Sequence, residues 1–265
     1  MITPDLLFDL AGFTYKDLFT ADQQVWSALK NLSSYLKNFS YQPALADQLG
    51  GGAMVQEHLV WHDNRLFPAT GHDIEFGNTL KGGLKISRDG TPLDGASLIM
   101  SGAIFTGDSF AIGRGVLIEG GATVKSPTVI DDQTEIRQGA YIRGNCLIGK
   151  RCVVGHTTEV KHSIFLDDAK AGHFAYLGDS IIGNNANLGA GTKCANLRFI
   201  PGNVQIRHGE AFYDSGMRKF GAILGDESQT GCNSVTSPGT ILAKGSVLMP
   251  NTNAGSGFHD ERKIK

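Results

Sequence analysis

Residues 112–148 read IGRGVLIEGGATVKSPTVIDDQTEIRQGAYIRGNCLI, and an aliphatic side chain returns at every sixth position: Ile112, Ile118, Val124, Ile130, Ile136, Ile142 and Ile148. The same register runs on through Val154, Val160 and Leu166. Four residues after each lies a second row: Val116, Ala122, Thr128, Thr134, Ala140, Cys146, Cys152, Thr158 and Ile164. These are mostly small or β-branched side chains that suit a tight interior, and Lys170 breaks the row. A period of six fits neither the helical repeat of about 3.6 residues nor a sandwich whose turns come roughly 8 to 12 residues apart. It fits a short strand and a corner repeated along a solenoid. The phase returns in IIGNNANLGAGT (181–192), and again in Leu224, Thr230, Thr236, Leu242 and Leu248 with their companions Ser228, Ser234, Thr240, Ser246 and Thr252. A weaker beat, Leu98, Ile104 and Phe110, precedes it.

Composition agrees with an all-β solenoid. The 265 residues are 41% hydrophobic, enough to bury a core, and carry 35 glycines without the period of three that collagen needs. A net charge of -2 offers no basic surface for nucleic acid and no single-sign field for a membrane, so small molecules and further copies of the chain are the expected partners. The cysteines Cys146, Cys152, Cys194 and Cys232 form no CxxC pair, and Met1–Leu10 has no signal-peptide pattern, which makes a cytoplasmic location the expectation.

Residues 1–95 do not keep the beat. Thr20-Ala-Asp-Gln23 has the form of a capping box, and Val25, Leu29, Leu32, Leu36 and Phe39 share one apolar stripe, predicting a helix. A second short helix is predicted over 43–49, closed by Gly50-Gly51-Gly52. Such a segment is expected to cap the solenoid or to serve oligomerisation. Residues 96–255 are expected to form the solenoid domain, with an extended insertion at about 197–221, and 256–265 to be a polar tail mobile at its end.

If three hexads make one coil, residues eighteen apart stack on one face, about 4.8 Å from each other. Lys125, Arg143 and Lys161 form such a ladder. Like charges stacked this closely repel unless an anion, most simply a phosphate, or a partner chain relieves them; the alternative is that these are exposed side chains that swing apart. His173, in KAGHFAYLGDS (170–180), lies where the register slips, because Leu166 to Ile182 is sixteen residues. A neutral histidine is the usual general base near pH 7, although a lone histidine beside a glycine is more often structural. His156, His162 and His173 could be zinc ligands only if they converged, and a spacing of six should send the first two apart.

The stretch GHTTEVKHSIFLDDAKAGHFAYLGDSIIGNNANLGAGTKCAN (155–196) resembles the acetyltransferase domain of the bifunctional N-acetylglucosamine-1-phosphate uridyltransferase/glucosamine-1-phosphate acetyltransferases. MRKFGAILGDESQTGCN (217–233) is similar to the archaeal-type sugar-1-phosphate nucleotidyltransferase/acetyltransferases. The resemblance implies a left-handed parallel β-helix, a homotrimer with sites between subunits, and acetyl transfer from acetyl-CoA to the amine of a sugar phosphate without a metal. It assigns His173 as the catalytic base and Arg143, Lys161 and Lys219 as contacts to the sugar phosphate. Tyr176 and Asn187 match residues that contact the sugar. Ala190 and Asn196 match positions at the acetyl-CoA site, as do Cys232 and Pro250, which depart from the family's usual residues there. Residues 1–95 contain no GxGTR-type signature, so uridyl transfer is not expected. The sequence thus leads to an N-acetyltransferase acting on glucosamine 1-phosphate or galactosamine 1-phosphate. Two alternatives stand beside it: another acyltransferase working on a nucleotide sugar, and a non-catalytic sugar-phosphate scaffold.

Overall fold

The computed structural model describes residues 1–265 and is a three-sided parallel β-solenoid of about nine turns. Each turn contributes one short strand to each of three faces. Face I stacks Ser97–Ile99, Leu117–Ile118, Glu135–Ile136, Val153–His156, Lys170–His173 and Asn187–Leu188, then Gln229–Thr230, Val247–Leu248 and Lys263–Ile264. Face II runs from Ile104–Thr106 through Thr123–Lys125, Tyr141–Ile142, Glu159–Lys161, Tyr176–Gly178 and Lys193–Cys194 to Val235–Thr236 and Asn253–Ala254. Face III runs from Phe110–Ile112 through Thr128–Ile130, Cys146–Ile148, Ser163–Phe165 and Ile181–Ile182 to Ala222–Leu224, Thr240–Leu242 and Gly257–His259. Strands of successive turns pair in parallel, Ile118 with Ile136 on face I, Val124 with Ile142 on face II and Ile130 with Ile148 on face III.

Both six-residue rows point inward. The aliphatic row fills the prism, and the small row, Thr134, Ala140, Cys146 and Cys152 among them, is buried where the chain turns. The structure corrects the register beyond Val160. Ile148 pairs with Phe165, not Leu166, and Cys146 pairs with Ser163, so the step from Val160 to the next interior residue is five. A second five-residue step separates Leu177 from Ile182. Single-residue shortenings at the corners 161–163 and 178–180 therefore replace the single slip expected at His173. The inner small row continues as Ser163, Ala169, Ala175 and Ser180, which removes Ile164 and Lys170 from it. The first turn is also corrected: Ile99 and Phe105 face inward, whereas Leu98 packs outside under the hairpins of the N-terminal region.

The N-terminal region does two jobs. Helix α1 (Pro4–Leu7) and helix α2 (Ser27–Lys37) lie along face III, where Leu29, Leu32 and Leu36 cover an outward row of Val129, Leu147, Ile164 and Ile181. Helix α2 begins after Trp26 without a side-chain cap, so Thr20 is not its N-cap. Helix α3 (Pro43–Leu49) starts on a proline and inserts Leu45 and Leu49 into the first turn, closing the open end of the core. Antiparallel strands at Gly51–Met54, Leu59–His62, Arg65–Pro68, Asp73–Glu75, Lys85–Arg88 and Thr91–Pro92 wrap the start of faces I and II. At the other end, Gly257–His259 and Lys263–Ile264 continue faces III and I as two further strands, so most of the polar tail belongs to the solenoid.

The insertion is an arm. It leaves face II at Asn196, folds as a hairpin of Gln205–His208 against Ala211–Asp214, and returns through a Leu197–Lys219 bridge to face III. Val204, Ile206 and Phe220 anchor it to the apolar layer under α2.

Candidate active site

Three columns of residues decide what the coils can do. The first runs along the ridge between faces I and II. There the amide of Phe174 donates to the carbonyl of His156, Gly191 to His173, Asn233 to Ala190 and Asn251 to Cys232. This ladder places His156, His173, Ala190, Cys232 and Pro250 one above another. The two histidines are direct Cα partners on adjacent turns. Close approach here requires glycine, since a Cβ on Gly155 would lie 1.7 Å from the carbonyl oxygen of Gly172. His173 is exposed at the strand end, with its ring tilted 6.2 Å from that of Phe174.

The second column lies on face II. Lys125, Arg143 and Lys161 stack, as do Tyr141, Glu159, Tyr176 and Lys193 beside them. The stacked cations are relieved within the chain. Arg143 donates to Glu159 at 2.7 Å, which raises the guanidinium pKa, and the Lys125 ammonium sits 5.3 Å from the centre of the Tyr141 ring. Lys161 Nζ donates to both oxygens of Asp179, at 3.1 and 3.2 Å.

The third column is the ridge between faces II and III. The two shortened corners bring His162 over Asp179, and the following turn adds Asn196. His162 Nδ1 lies 2.9 Å from Asp179 Oδ1, Asn196 Nδ2 donates to Oδ2 at 2.5 Å, and Tyr176 Oη donates to Asn196 Oδ1 at 3.3 Å. Burial works against the Asp179 charge, but the hydrogen bonds from His162 and Asn196 and the charge of Lys161 outweigh it and hold the carboxyl below its usual range. Gly178 makes the cluster possible. Where Lys161 and Arg143 carry side chains one and two turns below, a Cβ on Gly178 would lie 2.4 Å from Asn196 Nδ2 and 2.7 Å from the Tyr176 hydroxyl. The returning arm closes the ridge: Phe220 N–H donates to Asn196 O and Gly221 N–H to Asp179 O, which sets the exposed Lys219 beside the cluster.

The sequence-derived residues thus separate into groups. Lys161 and Asn196 converge on Asp179 and Tyr176 joins them through Asn196, with Lys219 alongside and Arg143 one turn away from Lys161. His173, Ala190, Cys232 and Pro250 share the opposite ridge, across the width of face II. Asn187 stands exposed on face I between Lys170 and Gln229. His162 sits on the ridge opposite to His156 and His173, so the three histidines do not meet. Cys146, Cys152 and Cys194 are interior, and burial pushes their thiols up, to about 12 for Cys146 and about 11 for Cys194, which removes them as nucleophiles.

Asp179, at the centre of this cluster, is the residue not singled out from the sequence. Its signal was the pair of five-residue steps at 160–165 and 177–182, hidden while Leu166 was placed in the inner row. A cavity of about 650 Å³ between the arm and the last turns of face II was also not foreseen. It is lined by Phe199, Ile200, Phe212, Arg198 and Arg207 and by Ser237 of the coil.

The family model of the GMPPB C-terminal domain matches residues 124–217. A bifunctional sugar-1-phosphate nucleotidylyltransferase/acetyltransferase of Sulfurisphaera tokodaii is 37% identical over 94 residues, 36% of this chain and 23% of that protein. The bifunctional protein GlmU of Methanococcus aeolicus is 40% identical over 95 residues, again 36% of this chain and 23% of the relative. The match thus spans about a quarter of the length of these relatives. Among solved structures, a Francisella novicida UDP-N-acetylglucosamine acyltransferase aligns over 57% of this chain and 54% of its own, with a TM-score of 0.41 and 12% identity. PerB of Caulobacter crescentus, solved with CoA and GDP-perosamine, aligns over 60% of this chain and 51% of its own, with a TM-score of 0.26 and 16% identity. The coils that carry the site are therefore similar in sequence to sugar-1-phosphate nucleotidyltransferase/acetyltransferases.

Proposed function

We propose that this chain is a hexapeptide-repeat acyltransferase that moves the acetyl group of acetyl-CoA to the amine of an amino-sugar 1-phosphate, glucosamine 1-phosphate or galactosamine 1-phosphate. The observation that carries the reading is the division of the site residues between two ridges of one prism. A histidine with the Ala190–Cys232–Pro250 ledge occupies one, and the Lys161–Asn196–Lys219 group occupies the other. Each is half of a site, and a homotrimer that sets one chain's first ridge against its neighbour's second would join them.

In that arrangement the phosphate lies against Lys161, Lys219 and Arg143, and the sugar ring extends over Tyr176 with its amine towards His173. Asn187, on face I, then meets the ligand only if the neighbouring chain brings it close. Ala190 and Cys232 are small and leave the backbone of their corners open, a ledge narrow enough for a pantetheine chain. Pro250 contributes no N–H there. The amine nitrogen attacks the thioester carbonyl carbon, an amide C–N bond forms and the C–S bond breaks. His173 takes the proton shed by the nitrogen and returns it to the departing thiolate. Alignment of the two reactants supplies most of the acceleration, and backbone N–H groups of the corner can meet the charge on the carbonyl oxygen. The transfer calls for no metal.

One observation bears on the alternatives, acyl transfer to a nucleotide sugar and a non-catalytic scaffold. Arg143 and Lys161 are already paired with Glu159 and Asp179, so the ladder can stand without a phosphate against it. Thiol release from acetyl-CoA, with glucosamine 1-phosphate, galactosamine 1-phosphate or a UDP-amino sugar as acceptor, separates the readings. Turnover with a sugar phosphate that falls at least about a hundredfold in His173→Ala is expected. Turnover with the UDP-sugar alone supports acyl transfer to a nucleotide sugar, and tight sugar-phosphate binding without turnover supports a scaffold.

A further inference from the structure

We infer that Asp179 is the positioning residue of this site, a single carboxylate that fixes both the phosphate-side lysine, Lys161, and the acyl-side amide, Asn196. The inference rests on the acyl-transfer reading together with the resemblance, which matches Lys161 to the sugar phosphate and Asn196 to the acetyl-CoA site although both side chains lie on one ridge; neither makes use of Asp179 itself.

Asp179 is 4% exposed and stands at a corner, as many aspartates of the solenoid do. Asp168 pairs with the Arg151 guanidinium, and three others staple backbone. Asp132 accepts the N–H of Arg114, Asp167 that of Lys150, and Asp226 those of Asn184 and Asp9, each closing a corner of the neighbouring turn. Asp179 accepts from no backbone amide. Its side-chain donors are Lys161 Nζ, His162 Nδ1 and Asn196 Nδ2, so its carboxylate orients side chains rather than joining turns. The local sequence is shaped to permit this: two shortened corners bring the donors together, and Gly178 leaves the space that Tyr176 and Asn196 enter.

The physical consequence is preorganisation. A lysine ammonium on a four-carbon stem loses much rotamer freedom when it must meet a phosphate, and an anchor that holds two of its N–H groups has already imposed that loss. A third N–H remains for a phosphate oxygen. Asn196, whose amide is fixed by Asp179 on one side and by the Tyr176 hydroxyl on the other, is likewise held in one orientation. Both substrates therefore depend on one carboxylate that neither of them touches.

The test is a pattern of KM values. Lys161→Met should raise KM for the sugar phosphate alone, and Asn196→Ala KM for acetyl-CoA alone. Asp179→Asn should raise both, each roughly tenfold, with kcat within about threefold of the parent, the scale of a lost charged hydrogen bond expressed in binding. Adding Asp179→Asn to Lys161→Met should leave the sugar-phosphate KM where Lys161→Met put it, because the shared interaction is already gone. An Asp179→Asn protein that loses only active fraction or melting temperature, with either KM within about twofold of the parent, overturns the inference. If that variant does not accumulate, Asp179→Glu, which keeps the charge but displaces the oxygens, must show the same paired rise. Calorimetric titration with CoA and with glucosamine 1-phosphate, each alone, reads the pairing without turnover. A parent chain that binds both ligands but transfers nothing defeats the acyl-transfer reading and leaves Asp179 to be judged on binding, whereas one that binds neither overturns both.

Discussion

Phe174 adopts a φ of +53°, in a column along the ridge whose other members with positive φ are Gly102, Gly121, Gly139, Thr157, Gly191, Asn233 and Asn251. Left-handed backbone costs an ordinary L-residue on the order of 1 kcal/mol, and a bulky side chain there is an outlier. Phe174 is also 56% exposed, so its burial returns little, and its nearer aromatic neighbour is the His156 ring at 5.6 Å. Phe174→Asn should therefore stabilise the chain by about 0.5–1 kcal/mol, seen as a higher urea midpoint. An unchanged or lower midpoint would mean that the edge-to-face contact with His156 offsets the backbone strain. The same ridge holds His173, whose neighbour thus departs from the residue type the corner prefers. Arg143 and Lys161 teach a related lesson: a stacked row of cations reads in sequence as unrelieved charge, yet Glu159 and Asp179 answer it within the chain.

At the scale of a corner, carboxylates behave in opposite ways according to their partners. Asp131, 9% exposed and with no hydrogen-bond partner for its Oδ2, has its carboxyl raised by burial. Its folded form keeps a proton at a pH where the unfolded chain has already lost it, so stability falls as pH rises above the ordinary carboxylate range. Asp131→Asn should accordingly gain about 1 kcal/mol over the parent at pH 8, and little at pH 3 where both states are protonated. Denaturant midpoints at the two pH values check this. Asp179 has the opposite sign. Its lowered carboxyl contributes stability that is present above the unfolded value of 3.8 and lost as pH falls through the folded one. Asp179→Asn should therefore cost stability at neutral pH and converge with the parent in acid.

At the scale of the molecule, the core is divided into an inner column inside the prism and an outer layer between face III and residues 1–41. Both are needed. Leu32, fully buried on the inward side of α2, should cost about 2–5 kcal/mol when truncated to alanine, measured by denaturant unfolding. Deleting residues 1–41 would uncover the outward row Val129, Leu147, Ile164, Ile181 and Ile223 as one apolar strip, and self-association by light scattering is the expected result. Soluble, monodisperse coils without that segment would show the layer to be dispensable. The covering of face III also bears on the proposed trimer. It leaves face II and its two ridges as the surfaces on which a neighbouring chain could complete a site.

The solenoid was legible in the sequence because a period of six is a local property: every turn repeats the same alternation of an interior aliphatic and a small corner residue, and each row can be counted without knowing its neighbours. Helix α3, between Pro43 and Gly50, was legible for the same local reason. The handedness entered with the family resemblance, not from the spacing. What only the tertiary structure decided was which turns are one residue short, since Leu166 and Phe165 are equally good interior residues on paper and only strand pairing chooses between them. That choice moved the register break from His173 to the corners at His162 and Asp179, and so created the carboxylate cluster. It also parted His173 and its ridge from the ridge of Asp179 and Asn196, with Asn187 on face I and Arg143 on face II, because residues close in sequence turn onto different faces at every corner.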